Sequence, residues 1–350
     1  GAGGEETKYG FTVAPQKPVY QNNPLAGVAA VGTSDEPHDL SNPTGTEVNT
    51  ANCYIVNAPG VYVLPLVYGN GVEKGACNFK AYKWPSGNMH NYLDVNITPP
   101  LIQDNGITIA DAILVYSDEV DLVKVSPKIV VRRMPAANGD DLNWAKDNMK
   151  YLQFEVPAEN IMPGNAIVAV RDAQKRIVWS WHIWVTDFNP YAAGSTTALP
   201  TVKDSSGKSY TYELMNKNLG WCPAKKVSWA ARSAKYRIRQ VATGETKEFT
   251  INQSAYGPET RTGNCPYYQW GRKDPMLSFC YANGDVAQEK PCYTSLDKDP
   301  SGVSYAFRID DAKVGTTMGT AIQNPHVFYP RSEVEYDWCT TDDFELARWD

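Results

Sequence analysis

The sequence has only four histidines and no Cys-x-x-Cys pair, and no histidine lies at metal-ligand spacing from a cysteine. A zinc site is therefore not expected. No serine or cysteine stands in a recognisable nucleophile motif, and so few histidines leave few candidate bases for acyl transfer. We predict a non-enzymatic protein with no catalytic residue, no metal ligand and no cofactor.

Long runs of cationic and of apolar residues are also missing. The net charge is -6, and no run of Lys or Arg exceeds the pairs Lys225-Lys226 and Arg132-Arg133. This balance argues against nucleic acid and against anionic lipid as partners. No stretch approaches the ~18 consecutive apolar residues of a membrane-spanning helix. The chain begins Gly-Ala-Gly-Gly without Met, so we expect a removed leader, and a lipid anchor upstream would be compatible with it.

The residues that are abundant favour a folded, mainly β protein. Hydrophobic residues make up 42% of the chain, which carries 9 Phe, 10 Trp and 21 Tyr. Short β-branched and aromatic runs alternate with Gly, Pro, Asn and Asp turns, which is the pattern of a β-sandwich. We predict an extended arm or linker over 1–48, a β-sandwich domain over 49–190, and a loop-rich, mostly β domain over 191–350.

Three hairpins are predicted from these runs. The first joins Cys53–Val56 to the run 61–68 across Ala58-Pro59-Gly60, and the second joins 165–171 to 176–185. In the last strand Ile177, Trp179, Trp181, Ile183 and Val185 share one face. The opposite face carries Val178, Ser180, His182 and Trp184, so the strand is expected to be central and covered on both sides. His182 is accordingly predicted to be a hydrogen-bonded core residue. A half-exposed ribbon is predicted from 236–242 and 247–253.

Seven cysteines are present, five of them after residue 220. In an exported protein this bias is compatible with one or two disulfides in the C-terminal domain, with at least one thiol left free. A Cys53–Cys77 bridge and a pair of buried thiols are equally compatible with the sequence.

The segment 265–275 is the candidate binding surface. Large aromatic side chains stand there beside cations and a carboxylate, between Pro266 and Pro275. Flat rings with flanking hydrogen-bonding groups are what a sugar ring or an aromatic-anchored peptide needs. The predicted ligand-binding residues are Tyr267, Tyr268, Trp270, Arg272 and Asp274. The alternative is that these rings form the core of a domain that is short of aliphatic residues.

Six short motifs occur in the same order in a known group of proteins: 50–56, 164–166, 177–185, 215–220, 268–275 and 322–325. Their order resembles that of Bacteroidetes surface and fimbrillin-like proteins, many of them lipid-anchored cell-adhesion proteins. The second half also resembles the Fibrobacter-type paralogous domain, which is similar to C-type-lectin-like folds. Members of the group usually continue past the positions of Trp338 and Trp349 with further β structure, so we expect a shortened or differently finished second domain.

The resemblance implies export to the cell surface, outer membrane or pilus, and adhesion to a surface glycan or to a host or bacterial protein. A minor or tip component of a pilus, in contact with other pilus subunits, fits the same resemblance. Two alternatives stay open. One is a surface enzyme or accessory factor of polysaccharide processing, and the other is a structural subunit that completes its sheet with a partner's strand.

Overall fold

The protein is mainly β, with 43% of residues in strands and 4% in helix, and its several sheets form no closed barrel. The computed structural model describes residues 18–78, 89–134, 147–203, 205–268, 272–276 and 317–326. It also describes the backbone of short strands at 83–84, 87–88, 292–293, 303–304, 308–309 and 327–328. The predicted fold class is thereby confirmed as mainly β.

The described elements follow one another along the chain as short strands, with one 3₁₀ turn at Ile102–Asn105 and one α-helix. They are β1 (Val19–Gln21), β2 (His38–Asp39), β3 (Cys53–Val56), β4 (Gly60–Pro65), β5 (Val72–Glu73), β6 (Ala76–Cys77), β7 (Lys83–Trp84), β8 (Gly87–Asn88), β9 (Asp111–Ser117), β10 (Lys124–Val125), β11 (Val130–Arg132), β12 (Met149–Val156), β13 (Gly164–Arg171), β14 (Ile177–Val185), β15 (Thr196–Ala198), β16 (Val202–Lys203), β17 (Ser209–Tyr210), β18 (Glu213–Met215), β19 (Lys225–Trp229), β20 (Arg232–Arg239), β21 (Thr246–Gln253), β22 (Tyr256–Arg261), β23 (Tyr267–Tyr268), β24 (Pro275–Met276), β25 (Cys292–Tyr293), β26 (Val303–Ser304), β27 (Arg308–Ile309), α1 (Met318–Gln323) and β28 (Val327–Phe328).

Two larger sheets share the main core of the described residues. One has the order β10-β12-β4-β2, with β11 also beside β12, and the other has the order β26-β25-β9-β13-β14-β3. Leu64 and Leu152 of the first sheet lie in one apolar cluster with Val168 and Trp181 of the second. Burying two apolar sheet faces against each other is the packing of a sandwich.

Strand β14 is central and covered on both faces, as predicted. It pairs antiparallel with β13 and parallel with β3, and all its residues are buried. Trp179, Trp181, Ile183 and Val185 face the main core. Ile177 was predicted to share that face, but it lies in a second cluster on the other side. A register shift between Val170 and its neighbour breaks the alternation at that end of the hairpin.

The hairpin predicted from the first two runs is wrong. β3 pairs with β14 in the six-stranded sheet, whereas β4 pairs with β12 and β2 in the five-stranded sheet. The connection crosses between sheets at Gly60, where Val31 forms a parallel bridge and donates its N–H to Pro59 O at 2.8 Å. A Cβ at Gly60 would lie 1.7 Å from Val31 O, so this close approach requires glycine.

Segments from outside the predicted sandwich range also reach its sheets. β2 pairs with β4, and β25 joins β9 through Tyr293 opposite Ser117. Met318 and Ile322 of α1 are buried in the main core. The core therefore draws on residues both before and after 49–190, while the predicted domain boundaries stay predictions.

A long hairpin formed by 225–261 follows. Its base is β19 and β22, which form a three-stranded sheet with β1, and its outer part is β20 and β21. The outer strands pair in register from Arg232 opposite Gln253 to Arg239 opposite Thr246. Their side chains are exposed or half-exposed throughout, so an exposed ribbon lies where one was predicted. Its first strand is Arg232–Arg239 rather than the predicted 236–242, because the turn begins earlier than predicted. We call residues 232–253 the arm.

Cys53, Cys222 and Cys265 are among the described cysteines that form no disulfide. The Cys53–Cys77 bridge is therefore not formed in this structure. The sulfur of Cys53 lies 3.2 Å from His182 Nδ1, within the interior. The side chains of Cys280, Cys292 and Cys339 lie outside the described residues.

In the part of the chain that is described, no helix has the length and apolar character to cross a membrane.

Candidate functional site

The residues predicted to bind a ligand do not share one surface. Tyr267 is 50% exposed, whereas Arg272 and Asp274 are each only 1% exposed. The hydroxyl of Tyr268 points inward, 2.6 Å from His182 Nδ1. Trp270 lies outside the described residues. Residues 272–276 are buried because they cover the outer face of the six-stranded sheet, where Met276 joins the second apolar cluster.

Arg272 serves the neighbouring helix rather than a surface. Its Nη2 donates hydrogen bonds to Ala321 O at 3.0 Å and to Asn324 O at 3.3 Å, at the carboxyl end of α1. A cation at this end of a helix satisfies carbonyl oxygens that have no partner within the helix. Arg272 therefore attaches the segment to α1.

Lys273 and Asp274 attach the same segment to β14. Lys273 Nζ donates to Ser180 Oγ at 2.5 Å and to Asp274 Oδ2 at 2.6 Å, and Ser180 Oγ donates to the same carboxylate oxygen at 2.6 Å. Lys273 Nζ also lies 4.3 Å from the ring centroid of Trp179. A serine beside a lysine can form a nucleophile and base pair. Here Ser180 and Lys273 are buried, so the group compensates charge inside the protein.

His182 belongs to a hydrogen-bond relay on the same face. Its Nε2 donates to Asn165 Oδ1 at 2.8 Å, and its Nδ1 accepts from Tyr268. Asn165 Nδ2 in turn donates to Asp118 Oδ2 at 3.0 Å, which fixes the amide orientation and hence the imidazole tautomer. Burial lowers the pKa of His182 to about 3, so the ring is neutral. His182 is confirmed as a hydrogen-bonded core residue.

A buried ion cluster joins the sandwich to the base of the long hairpin. Lys225 Nζ contacts Glu119 Oε1 and donates to Pro163 O at 2.9 Å, and Arg261 Nη1 lies 3.2 Å from Glu119 Oε2. Burial lowers the pKa of Lys225, but the charges of Glu119 and Asp118 outweigh it and raise the pKa. Burial, with the charge of Glu119, raises the pKa of Asp118 to about 6. These charges hold β19 and β22 against the turn after β9.

Next to Arg261 of this cluster, the half-buried ring of Trp229 and the exposed ring of Tyr256 form an aromatic surface. Trp229 and Tyr256 are cross-strand partners, with ring centroids 5.4 Å apart and planes 43° apart. Tyr256 is 64% exposed, and the guanidinium carbon of Arg261 lies 5.6 Å from the Trp229 ring centroid. We call these three residues the aromatic platform. An apolar ring face beside cationic donors can stack against the C–H face of a sugar and bind its hydroxyls.

The platform depends on local backbone geometry. A register shift between Val227 and Trp229 brings Tyr256 opposite Trp229. Gly257, with φ +100°, passes so close to β19 that a Cβ there would lie 2.9 Å from Val227 O. A left-handed φ and this close approach both require glycine. Arg261 is held through Nη1 by Glu119, and among the described residues no hydrogen bond engages its Nε or Nη2.

Sequence reasoning missed this platform because the predicted register of the ribbon differs from the observed one. The predicted strands 236–242 and 247–253, joined by the turn 243–246, place Tyr236 opposite Gln253, whereas the structure pairs Arg232 with Gln253. Only the observed register, extended three residues towards the base of the hairpin on each strand, pairs Trp229 with Tyr256. Two large aromatic residues that meet at the base of a half-exposed hairpin are a candidate surface in their own right.

Comparisons of the chain with protein-family models, with curated proteins and with solved structures find no match. The resemblance to fimbrillin-like surface proteins therefore stays a prediction.

Within the described residues no group of three or more His, Cys, Asp or Glu side chains is placed to hold a metal ion.

Proposed function

We propose that the protein is a non-enzymatic, exported cell-surface protein that binds a glycan or a protein partner through the aromatic platform. The observation that carries the proposal is the exposure of Tyr256, 64%, beside Trp229 and Arg261. Trp, Tyr and Arg side chains are enriched among the residues that contribute most to binding, and a ring offers an apolar face to a ligand.

The chemistry of the platform favours a sugar ring or an aromatic-anchored peptide. A pyranose ring offers an apolar C–H face to Tyr256 and hydroxyls to the Nε and Nη2 donors of Arg261. The platform is shallow, so one such contact gives an affinity on the order of millimolar to micromolar. Adhesion by many copies at a cell surface would multiply weak contacts of this kind.

The environment of the carboxylates supports binding rather than polysaccharide cleavage. A glycosidase needs two carboxyl groups about 5 to 10 Å apart across an open cleft. The buried carboxylates of Asp118, Glu119 and Asp274 are instead engaged by Asn165, Lys225 and Lys273 in the interior.

Export to the cell surface, with a lipid anchor or a tip position in a pilus, is supported by the sequence resemblance. The alternative of an assembly subunit has one supporting observation. β22 is the edge of its sheet, and its residues from Tyr256 to Thr260 are exposed. An open edge strand can pair with a strand of another subunit.

The test is a screen of the protein on an array of neutral oligosaccharides, followed by Tyr256→Ala. Loss of binding with unchanged thermal unfolding is expected, because Tyr256 lies at the surface. Tyr191→Ala is the matched control, since Tyr191 is 95% exposed in a separate loop. Equal binding by Tyr256→Ala and the parent, or binding lost equally in the control, would remove the platform from consideration.

A further inference from the structure

The arm carries a polar face whose charge is opposite to that of the whole chain. Residues 232–253 contain five basic side chains and two acidic ones, a net charge of 5 - 2 = +3, while the chain carries -6. The remainder is therefore at -6 - 3 = -9. Anions are repelled by most of this molecule and attracted to the arm.

Strand alternation divides the arm into two faces. One face presents Lys235, Arg237 and Arg239 of β20, and across from them stand Thr250, Glu248 and Thr246 of β21. All six side chains belong to exposed residues. We call these six residues the cationic face. Alternate residues of a strand are about 6.6 Å apart, so the three cations form a regular row about 13 Å long.

The row is only partly neutralised within the protein. Arg237 Nη2 lies 2.6 Å from Glu248 Oε1, with side chains 69% and 55% exposed. Lys235 and Arg239 flank this pair, and no acidic group of the described residues contacts either of them within 4.0 Å. Two cations on either side of a held arginine therefore face the solvent.

We propose that the cationic face binds an acidic polysaccharide, whose carboxylate or sulfate groups contact Lys235, Arg237 and Arg239. The hydroxyls of Thr246 and Thr250 stand beside the cations and can hydrogen-bond sugar hydroxyls between the charged groups. This assigns a partner class to a surface separate from the aromatic platform. The binding proposal for one surface can therefore be disproved without affecting the proposal for the other.

The composition of the face favours this partner over other polyanions. It holds no aromatic side chain on which a nucleic-acid base could stack. It also holds no aliphatic side chain that could enter a lipid surface beside the cations. Charges interspersed with hydroxyls match a hydrated, charged sugar chain best.

The experiment measures binding of the protein to immobilised polygalacturonate and chondroitin sulfate, with dextran as the neutral polymer, at low and high NaCl. Binding to one or both acidic polymers, weakened by salt and absent on dextran, is expected. The double variant Lys235→Gln/Arg239→Gln should bind about tenfold more weakly. The two acidic polymers distinguish carboxylate from sulfate recognition.

The matched control is Lys128→Gln/Lys203→Gln, which removes two exposed cations elsewhere and changes the net charge equally. It should bind like the parent, as should Tyr256→Ala, which tests the platform instead. The proposal is overturned if neither acidic polymer binds at low salt, or if both double variants lose affinity equally. It is also overturned if DNA or phosphatidylserine vesicles bind more tightly than either polymer. Thermal unfolding of each variant establishes that it is folded.

Discussion

Strands β14 and β20 are of similar length and both alternate, yet the protein uses them in opposite ways. β14 is buried along its whole length, and its polar residues Ser180 and His182 have fixed hydrogen-bond partners. β20 lies in water, and its cations have mostly solvent around them. The same period of two thus gives a buried structural strand where both faces are covered, and a largely exposed strand where they are not.

The two regions also differ in what an ion pair contributes. Lys273 and Asp274 are 0% and 1% exposed at their side chains, whereas Arg237 and Glu248 are 69% and 55% exposed. A buried pair compensates two desolvation costs, so removal of one partner leaves an unpaired charge in the interior. An exposed pair loses little because water replaces the partner.

The largest expected effect follows from this contrast. Asp274→Asn should lower the free energy of unfolding by about 3 to 5 kcal/mol, since Lys273 is left with an uncompensated charge. Glu248→Gln should lower it by no more than about 1 kcal/mol. Urea unfolding of both variants measures the difference. Similar losses of unfolding free energy in the two variants would contradict the stated difference between the buried and the exposed ion pair.

The pH dependence of stability sharpens the comparison, because two of the groups with shifted pKa values, His182 and Asp118, lie in the buried relay. The pKa of His182 is lowered to about 3, so below pH 6.5 the unfolded chain takes up a proton that the folded protein does not. Stability is therefore lost as the pH falls from about 6.5 to 3. The pKa of Asp118 is raised to about 6, so the folded protein takes up a proton before the unfolded chain does. This contribution gains stability as the pH falls from about 6 to 3.8.

The two contributions oppose each other between pH 3.8 and 6, each at about 1.4 kcal/mol per pH unit. His182→Gln should remove the loss, so that the variant's stability rises relative to the parent's as the pH falls through this window. Asp118→Asn should do the reverse and steepen the loss. Urea midpoints between pH 4 and 7 test the slopes, independently of the overall destabilisation of either variant. Parallel profiles for all three proteins would contradict the assignment of both groups.

The sequence predicted the buried region better where the signal was local. Apolar residues on both faces of the run 177–185 indicated a covered central strand, and His182 followed from it. The covering segment was misjudged because Arg272 and Asp274 are typical of surfaces, and their burial depends on distant partners. Lys273 contacts Ser180 across 93 positions of the chain, and β3 and β4 separate because Val31 bridges Gly60. Contacts of this range leave no periodic trace in the sequence.

The smallest expected effect on stability is that of removing the arm. Ala231 and Ser254 continue the register of the arm strands, so replacing 232–253 by Asn-Gly closes the hairpin with a two-residue turn. Ile238 is 60% exposed and Val241 is 95% exposed, so both already lie largely in water. Deleting them therefore removes little buried apolar surface from the folded protein. Thermal unfolding of the shortened chain should stay close to that of the parent, and binding through the proposed aromatic platform should be unchanged. Binding to acidic polysaccharide should disappear, since all three cations of the face are gone. A loss of more than about 2 kcal/mol in unfolding free energy, beyond what exposed positions contribute, would instead make the arm part of the folded core and end the separation of the two regions.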